Sequence, residues 1–224
     1  MSFQKFGVIL CLVLLFQSEG RTAEEYKSPD GSFRLVFPGV PDEHVTTKEG
    51  LTLQTLSAKS DSANALVVML IYFDHPKAQR QNLNSAEFFR GAERTVLDFP
   101  NAKLLHGKDI SQGTIPGKEW YIQGYQGKYA RIQQYLTGDR AYQLFVVSED
   151  EKGLDSAEAE EFLSSFHVIK ADPLPRSNLN QSWENMWEGF GSLVGFAIVV
   201  GGLVLFILWM NGKGRRKETP RRNP

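Results

Sequence analysis

The sequence predicts an α+β domain, an antiparallel sheet flanked by helices, over residues 24–171. Within these residues the hydrophobic side chains mostly recur at every second position, as they do in half-buried strands. Glycine-containing turns of two and three residues, at 126–127 and 137–139, join three of the segments. Loops this short connect only antiparallel neighbours. Two other stretches have the 3.6-residue period of helices, and helices packed on an antiparallel sheet define the α+β class.

The predicted elements follow from local patterns. Strands are predicted, in chain order, over residues 33–37, 51–55, 65–73, 102–110, 118–125, 128–136, 140–148 and 166–169. The segment 65–73 is continuously apolar, which is expected of a central strand covered on both faces. One helix begins at a cap on Ser85 and ends before Pro100. A second helix begins with a capping box of Asp155 and Glu158.

Composition excludes several classes of protein. The chain has 224 residues, 25 Lys+Arg, 26 Asp+Glu and one Cys. A nucleic-acid-binding protein would be plainly basic, so a net charge of −1 argues against that function. A single cysteine excludes a disulfide framework and a cysteine-based metal site. The charge is unevenly distributed, because residues 24–171 hold 16 basic and 21 acidic residues whereas residues 211–224 hold six basic and one acidic.

Residues 1–23 are predicted to be a secretory signal peptide. Lys5 precedes an eleven-residue apolar run, and Ser18 and Gly20 supply the small residues of a cleavage site. As a helix, eleven residues span about 16 Å, which is too short for a hydrocarbon core of about 30 Å. The domain that follows is therefore expected outside the cytoplasm.

Residues 190–210 are predicted to form a transmembrane helix. They contain no charge, and 21 helical residues reach about 31 Å. Trp183, Trp187 and Trp209 lie near the two ends, as interfacial aromatic residues do. The positive-inside rule puts the basic tail, 211–224, in the cytoplasm and the domain outside the cell membrane. The basic residues of that cytoplasmic anchor are Lys213, Arg215, Arg216, Lys217, Arg221 and Arg222.

Two smaller features accompany the span. Prolines end the domain, so residues 172–189 are predicted to be a linker and an interfacial segment. Gly191, Gly195 and Gly202 form a stripe of small residues that would let two spans approach closely and form a homodimer. The alternative is that glycine is simply common in membrane helices.

No catalytic, cofactor-binding or metal-binding motif is recognisable, so no cofactor and no enzymatic activity are predicted. None of His44, His75, His106 and His167 has another His, or a Cys, at ligand spacing. His75 follows Asp74 and precedes a proline, which predicts a solvated turn. The acidic run 149–151 lacks the alternating ligands of a calcium loop and is predicted to be a solvated loop.

An aromatic cluster is the most suggestive candidate site. Tyr121 and Tyr125 share parity on one meander strand. On the next strand the residues that share parity are Tyr129, Arg131, Gln133 and Tyr135. If both sets face the same way, they form a tyrosine-rich surface suited to a protein partner or a ligand. The alternative is that helices cover this face and that the tyrosines belong to the core.

Three motifs carry a resemblance to a known family. Residues 26–41 read Y-x-S-P-D-G-x-F-x-x-x-F-P-G-x-P, residues 140–147 read R-A-Y-Q-L-F-V-V, and residues 162–166 read F-L-x-x-F. Together they resemble bacterial exported domains of the PsbP/Mog1-like type over about residues 24–170. The resemblance implies an α-β-α sandwich. It also implies a non-enzymatic domain that docks onto other proteins, as the photosystem II extrinsic subunit and a Ran-binding factor do. The predicted membrane anchor departs from the soluble members.

The leading hypothesis is therefore a single-pass protein of the cell membrane. Its outward domain, 24–171, binds a partner protein or envelope component without catalysis. One alternative is a carrier or sensor of a small apolar ligand or lipid. Another is an anchored hydrolase whose residues are scattered through the chain.

Overall fold

The computed structural model describes residues 23–48, 51–60, 66–80, 83–97, 102–124 and 128–175. The predicted transmembrane helix with its glycine stripe and the basic tail lie outside these residues, as do Tyr125 and all but the last residue of the predicted signal peptide. Among the described residues, no helix combines the length and the apolar character needed to cross a bilayer.

The domain is built on a seven-stranded antiparallel sheet with a smaller sheet beside it. The large sheet has the strand order β3-β4-β5-β9-β8-β7-β6, and the small one has the order β1-β2-β10. The strands are β1 (Glu24–Lys27), β2 (Phe33–Phe37), β3 (Asp42–Lys48), β4 (Leu51–Lys59), β5 (Val67–Asp74), β6 (Lys103–Gln112), β7 (Ile115–Gln123), β8 (Tyr129–Leu136), β9 (Arg140–Ser148) and β10 (His167–Val168). Strands β6 to β9 are consecutive antiparallel neighbours, so the predicted meander is present.

Helices cover both faces of the large sheet. The helical segments are α1 (Lys77–Arg80), α2 (Ser85–Leu97), a 3-10 helix (Lys152–Asp155) and α3 (Ala157–Ser165). Helix α2 packs on one face, where its Phe88 and Ala92 join an apolar cluster with the sheet. The 3-10 helix, α3 and the small sheet cover the other face. This is an α+β architecture whose second covering layer is part helix and part sheet.

Strand β5 lies at the centre, as its continuous apolar sequence predicts. Leu70 and Tyr72 point into the cluster beneath α3 and the small sheet, whereas Met69, Ile71 and Phe73 point into the cluster beneath α2. All five side chains are at most 3% exposed. A strand buried on both faces needs no alternation of polar and apolar residues.

Strand β3 is absent from the expectations drawn from the sequence. It reads DEHVTTK, and its one large apolar residue, Val45, is more than half exposed. The strand lies at the edge of the large sheet and pairs with β4 along seven residues. This strand forms by backbone pairing with β4 rather than by burying an apolar face. Its sequence therefore has no hydrophobic period from which a strand could be predicted.

Both predicted helix caps are wrong by one residue. The Asn84 side chain caps α2, because its Oδ1 accepts from the N–H groups of Ala86 at 3.0 Å and Glu87 at 3.3 Å. Ser156 caps α3, because its Oγ accepts from the N–H of Ala159 at 3.3 Å. Each cap has a second residue of the cap-forming type beside it, so residue type alone does not decide between them.

The chain after β10 turns back onto the domain through residues 171–175, here called the exit strap. The N–H of Gly138, in the β8–β9 turn, donates to the carbonyl oxygen of Asp172 at 2.8 Å. The N–H of Asp172 donates to Oδ1 of Asp139 at 3.3 Å. A Cβ on Gly138 would lie 2.3 Å from the carbonyl oxygen of Pro173, so the close approach of the strap requires glycine there.

We expect the substitution Asn84→Ala to lower the free energy of unfolding by about 1 kcal/mol, because it removes the acceptor for the first turn of α2. The matched control is Ser85→Ala, which should change stability by less than about 0.5 kcal/mol. Urea unfolding of the two variants measures the difference. A larger loss for Ser85→Ala than for Asn84→Ala would contradict the assignment of the cap.

Candidate functional site

The residues of the predicted aromatic cluster that the structure describes do lie on one face of the sheet. In the pairing of β7 with β8, Tyr121 stands opposite Arg131 and Glu119 stands opposite Gln133. The face is the one that α3 and the small sheet cover. The shared parity therefore places these side chains together, as the sequence predicts.

These side chains are nevertheless buried, so the hypothesis of an open tyrosine surface is corrected. Tyr121, Arg131, Gln133 and Tyr135 are at most 9% exposed, and Tyr129 is half-buried. The 3-10 helix and α3 lie over them, as the alternative interpretation expects. An amphipathic covering layer excludes water from this face, and the tyrosine rings are part of the core.

Arg131 connects the sheet to its covering layer. Its Nε donates to Oε2 of Glu119 at 2.8 Å, and its Nη1 lies 3.2 Å from Oδ1 of Asp155. Nη1 also contacts a carboxylate oxygen of Glu160 in α3. One guanidinium thus binds carboxylates from β7, the 3-10 helix and α3. Arg131, Glu119, Gln133, Asp155 and Glu160 are called the Arg131 cluster below.

Sequence reasoning missed two members of this cluster, Glu160 and the more deeply buried Glu119. The Glu119 side chain is 1% exposed and also receives a hydrogen bond from Nε2 of Gln133 at 2.6 Å, and its Oε1 forms an ion pair with Nζ of Lys108 at 2.8 Å. Burial raises the pKa of this carboxyl, but the donors Lys108, Gln133 and Arg131 outweigh burial and hold the pKa below its usual value. Glu119 has the same parity as Tyr121, so the pattern did contain a signal for it.

Tyr121 and Tyr135 remain protonated near neutral pH. Tyr121 donates its hydroxyl to Oδ1 of Asp155 at 2.7 Å, and its ring stacks on His106 with centroids 3.9 Å apart. Burial and the bond to Asp155 raise the pKa of Tyr121. Burial raises the pKa of Tyr135 to about 12, and its hydroxyl donates to Gln133. Neither phenol is placed to act as a base or nucleophile near neutral pH.

The geometry of the Arg131 cluster suits a structural cross-link. Each carboxylate named above pairs with a cation, and within the described ranges no three His, Cys, Asp or Glu side chains come together as metal ligands. A shallow surface depression beside the cluster is lined by Asp150, Glu151, Lys152 and Asp155. The cluster therefore holds an exposed acidic surface in place from below.

A second buried arginine explains one of the motifs that carry the resemblance. Arg140 donates from Nε to Asp74 at 2.5 Å, and its Nη2 lies 2.9 Å from Oδ2 of Asp30. Asp30 in turn accepts from the N–H and Oγ of Ser32, and Gly31 takes the positive φ of 67° that the turn requires. The S-P-D-G motif therefore fastens the β1–β2 turn to the large sheet.

His75 is not in a solvated turn, contrary to the sequence expectation. It is 2% exposed, and its ring lies edge-on to Phe73 and Phe88, with centroids 5.4 and 6.0 Å away. Neither ring nitrogen has a hydrogen-bond partner in the described part of the chain. Asp74 faces outward to Arg140, and the next residue therefore turns into the apolar layer beneath α2.

Two glutamines are buried in the same layer as His75. Gln134 and Gln143 stand opposite each other on β8 and β9 and are at most 2% exposed. Across the described residues, both amide atoms of Gln134 and Oε1 of Gln143 lack a hydrogen-bond partner. A buried polar atom in this state costs free energy.

Comparison with known proteins finds structural neighbours only. No protein-family model and no curated protein sequence matches the chain. The structure is similar to the Ran-binding protein Mog1p of Saccharomyces cerevisiae, with 12% identity over 67% of this chain and 97% of that chain and a TM-score of 0.39. It is also similar to the PsbP protein CyanoP of the cyanobacterium Synechocystis, with 10% identity, coverage of 65% and 92%, and a TM-score of 0.44. A protein of Bacteroides thetaiotaomicron matches with 17% identity, coverage of 66% and 49%, and a TM-score of 0.35.

Mog1p and PsbP are the two proteins that the sequence resemblance names. All three TM-scores are below 0.5 and no identity exceeds 17%. The likeness therefore carries no argument about what this chain binds or does.

We expect Arg131→Met to lower the free energy of unfolding by about 3 kcal/mol, because it takes the buried counter-ion from the buried Glu119 carboxylate. Adding Glu119→Gln to that variant should restore part of the loss, because the buried charge is then removed. A double-mutant cycle measured by urea unfolding gives the coupling between the two residues. If the stability losses of Arg131→Met and Glu119→Gln simply add in the double variant, the two residues are not coupled and the cross-link is contradicted.

Adjacent glutamines provide a matched pair of variants. Gln133→Met should destabilise the protein by about 1–3 kcal/mol, because it removes a donor to Glu119. Gln134→Met should be neutral or stabilising, because it replaces buried amide atoms without partners by an apolar side chain of similar shape. The urea midpoint of Gln133→Met should fall clearly below that of Gln134→Met. Equal destabilisation by the two substitutions would contradict the different roles assigned to these glutamines.

Proposed function

We propose that residues 24–171 form a non-catalytic binding module that a single span holds at the outer face of the cell membrane. The span is residues 190–210, the linker is residues 172–189, and the cytoplasmic anchor is the basic tail 211–224. The module binds a partner protein or another component of the envelope. The signal-peptide pattern predicted over 1–23, an uncharged 21-residue segment and the opposite charges of domain and tail support this arrangement.

The position of the exit strap is the observation that carries the proposal. Strand β9 begins at the turn that the strap contacts and ends at the acidic segment 149–161. A strand of nine residues separates these two ends by about 26 Å. A chain anchored through the strap therefore presents the acidic segment at the end of the domain away from the anchor.

The acidic segment has the character of a recognition surface. Residues 149–161 contain seven Asp or Glu and one Lys. Most of these side chains are exposed, and Arg131 holds Asp155 and Glu160 from beneath. A surface that is ordered before binding loses less conformational entropy when a partner docks. Such a surface is also repelled by anionic lipid and attracts a basic partner.

The buried charges support a binding role rather than catalysis. Arg131 and Arg140 each pair with two or more carboxylates, and these pairs join layers of the domain. A catalytic acid or base needs a proton that it can exchange near the working pH. The carboxylates of these two clusters are instead engaged as partners of guanidinium groups.

Site-specific photo-crosslinking of the full chain in its native membrane tests the proposal. A photoreactive residue at Glu151 or Glu161, both exposed, should give a discrete adduct with one partner. Thr114 is the matched control, because it is exposed in the β6–β7 turn, at the same end as the strap. The variant Glu158→Lys/Glu161→Lys should reduce the adduct at Glu151 at least tenfold.

Two outcomes would contradict the proposal. Equal adducts at Thr114 and Glu151 would show that contact is not specific to the acidic end. A lipid or other apolar molecule that co-purifies with the full chain at one-to-one stoichiometry, with no protein adduct, would favour the carrier alternative.

A further inference from the structure

His75 is a buried titratable group on the apolar side of the large sheet. Its ring lies in the apolar layer beneath α2, between Phe73 and Phe88. Neither nitrogen makes a hydrogen bond in the described part of the chain. Burial lowers the pKa of this imidazole to about 4. The ring is therefore neutral in the folded domain near neutral pH.

The backbone of the same residue contacts the groups that hold the exit strap. The N–H of His75 donates to the carbonyl oxygen of Asp139 at 2.7 Å. Its carbonyl oxygen accepts from Nε of Arg80 at 3.0 Å. Arg80 then pairs with Asp172 in the strap, with Nη1 3.8 Å from Oδ2. Leu174, also in the strap, packs on the apolar cluster of Phe73 and Phe88.

We propose that His75 is an acid-sensitive latch, and that protonation of its imidazole releases the exit strap from the β8–β9 turn. A cation between two phenylalanine rings needs water or an acceptor on each nitrogen. The ring gains both by turning outward with residues 75–80, which follow the end of β5. That movement breaks the bond from His75 to Asp139 and draws Arg80 away from Asp172, and both groups hold the strap.

The charged groups around the ring do not outweigh its burial. Asp139 and Asp74 favour the cation, whereas Arg80 disfavours it. Asp74 already accepts from Arg140, and Asp139 accepts from the hydroxyl of Thr137. Further groups on the packed elements are Asp172 in the strap, Glu87 beside Phe88 in α2, and Lys77 in α1. Asp74 and Asp139 thus both accept from donors other than His75.

The direction and size of the pH effect follow from the difference in the His75 pKa between the docked and the released strap. A released imidazole has the ordinary pKa of 6.5, whereas the docked one has a pKa of about 4. Between these values the released form binds a proton and the docked form does not. Acidification from pH 7 to pH 5 therefore shifts the equilibrium towards release by about 20-fold, and the shift levels off below pH 4.

Hydrogen–deuterium exchange of the full chain in lipid nanodiscs tests the latch. Exchange rates at pH 7 and pH 5 are corrected for the intrinsic pH dependence of exchange. The amides of His75, Gly138 and Asp172 should lose protection by about 20-fold at pH 5. The amides of Leu144 to Val146, in the middle of β9, should keep theirs. Equal loss in both groups would mean global unfolding and would overturn the proposal.

Histidine variants separate the latch from other acid effects. His75→Leu and His75→Phe do not titrate, so the protection of Gly138 and Asp172 should become independent of pH in both. His44→Leu and His167→Leu replace exposed histidines and should retain the 20-fold loss. Retention of that loss in the His75 variants would overturn the proposal.

A measurement on the wild-type chain covers the case in which the His75 variants do not fold. NMR of ¹³C-labelled histidine follows the charge of each ring during acidification. The His75 titration and the loss of protection at Asp172 should share one midpoint between pH 4 and 6.5. A His75 ring that titrates while Asp172 stays protected would also refute the latch.

Discussion

The need to neutralise two buried guanidinium groups organises this domain. Arg131 and Arg140 lie on the same face of the large sheet, near its opposite ends, and both are at most 7% exposed. A guanidinium cannot lose its proton in a protein, so burial requires carboxylates around it. Arg131 takes them from β7, the 3-10 helix and α3, whereas Arg140 takes them from β5 and the β1–β2 turn. The covering layer is thus fastened at both ends.

The opposite face of the sheet obeys a different constraint. Beneath α2 the described side chains are mostly apolar, and the polar ones among them include His75, Gln134 and Gln143, which have atoms without partners. A low-dielectric layer of this kind tolerates neutral polar groups at some cost, but it resists a new charge. The face beneath α3 and the small sheet therefore contains charges that are paired with one another, whereas the face beneath α2 excludes charge. For this reason the group that responds to acid, His75, lies beneath α2, whereas the ion pairs that hold the acidic segment 149–161 lie on the other face.

Sequence patterns predicted the elements that have a clear apolar pattern or clear turns at their ends. The strands 33–37 and 140–148 have the predicted bounds, because the first alternates throughout and the second lies between the turn 137–139 and the acidic run 149–151. Strand β3 was missed because its side chains are exposed at a sheet edge. The predicted caps, Ser85 and Asp155, were wrong by one residue. Asn84 and Ser156 stand next to them, and all four are residue types that cap helices equally well. Glu119 was overlooked although its parity matched that of Tyr121, since a lone acid on a strand usually faces water.

The sequence by itself determined the α+β class, the antiparallel meander, the central strand β5 and the side-chain parities on β7 and β8. These features depend on neighbouring residues and on the two-residue period of a strand. Only the tertiary structure decided that the tyrosine face is covered, that His75 points inward and that the exit strap returns to the β8–β9 turn. Each of these results from contacts between segments that lie more than 20 residues apart, such as Arg131 with Asp155, or His75 with Asp139. Parity states which side chains share a face, but the segments that pack there decide whether that face meets water.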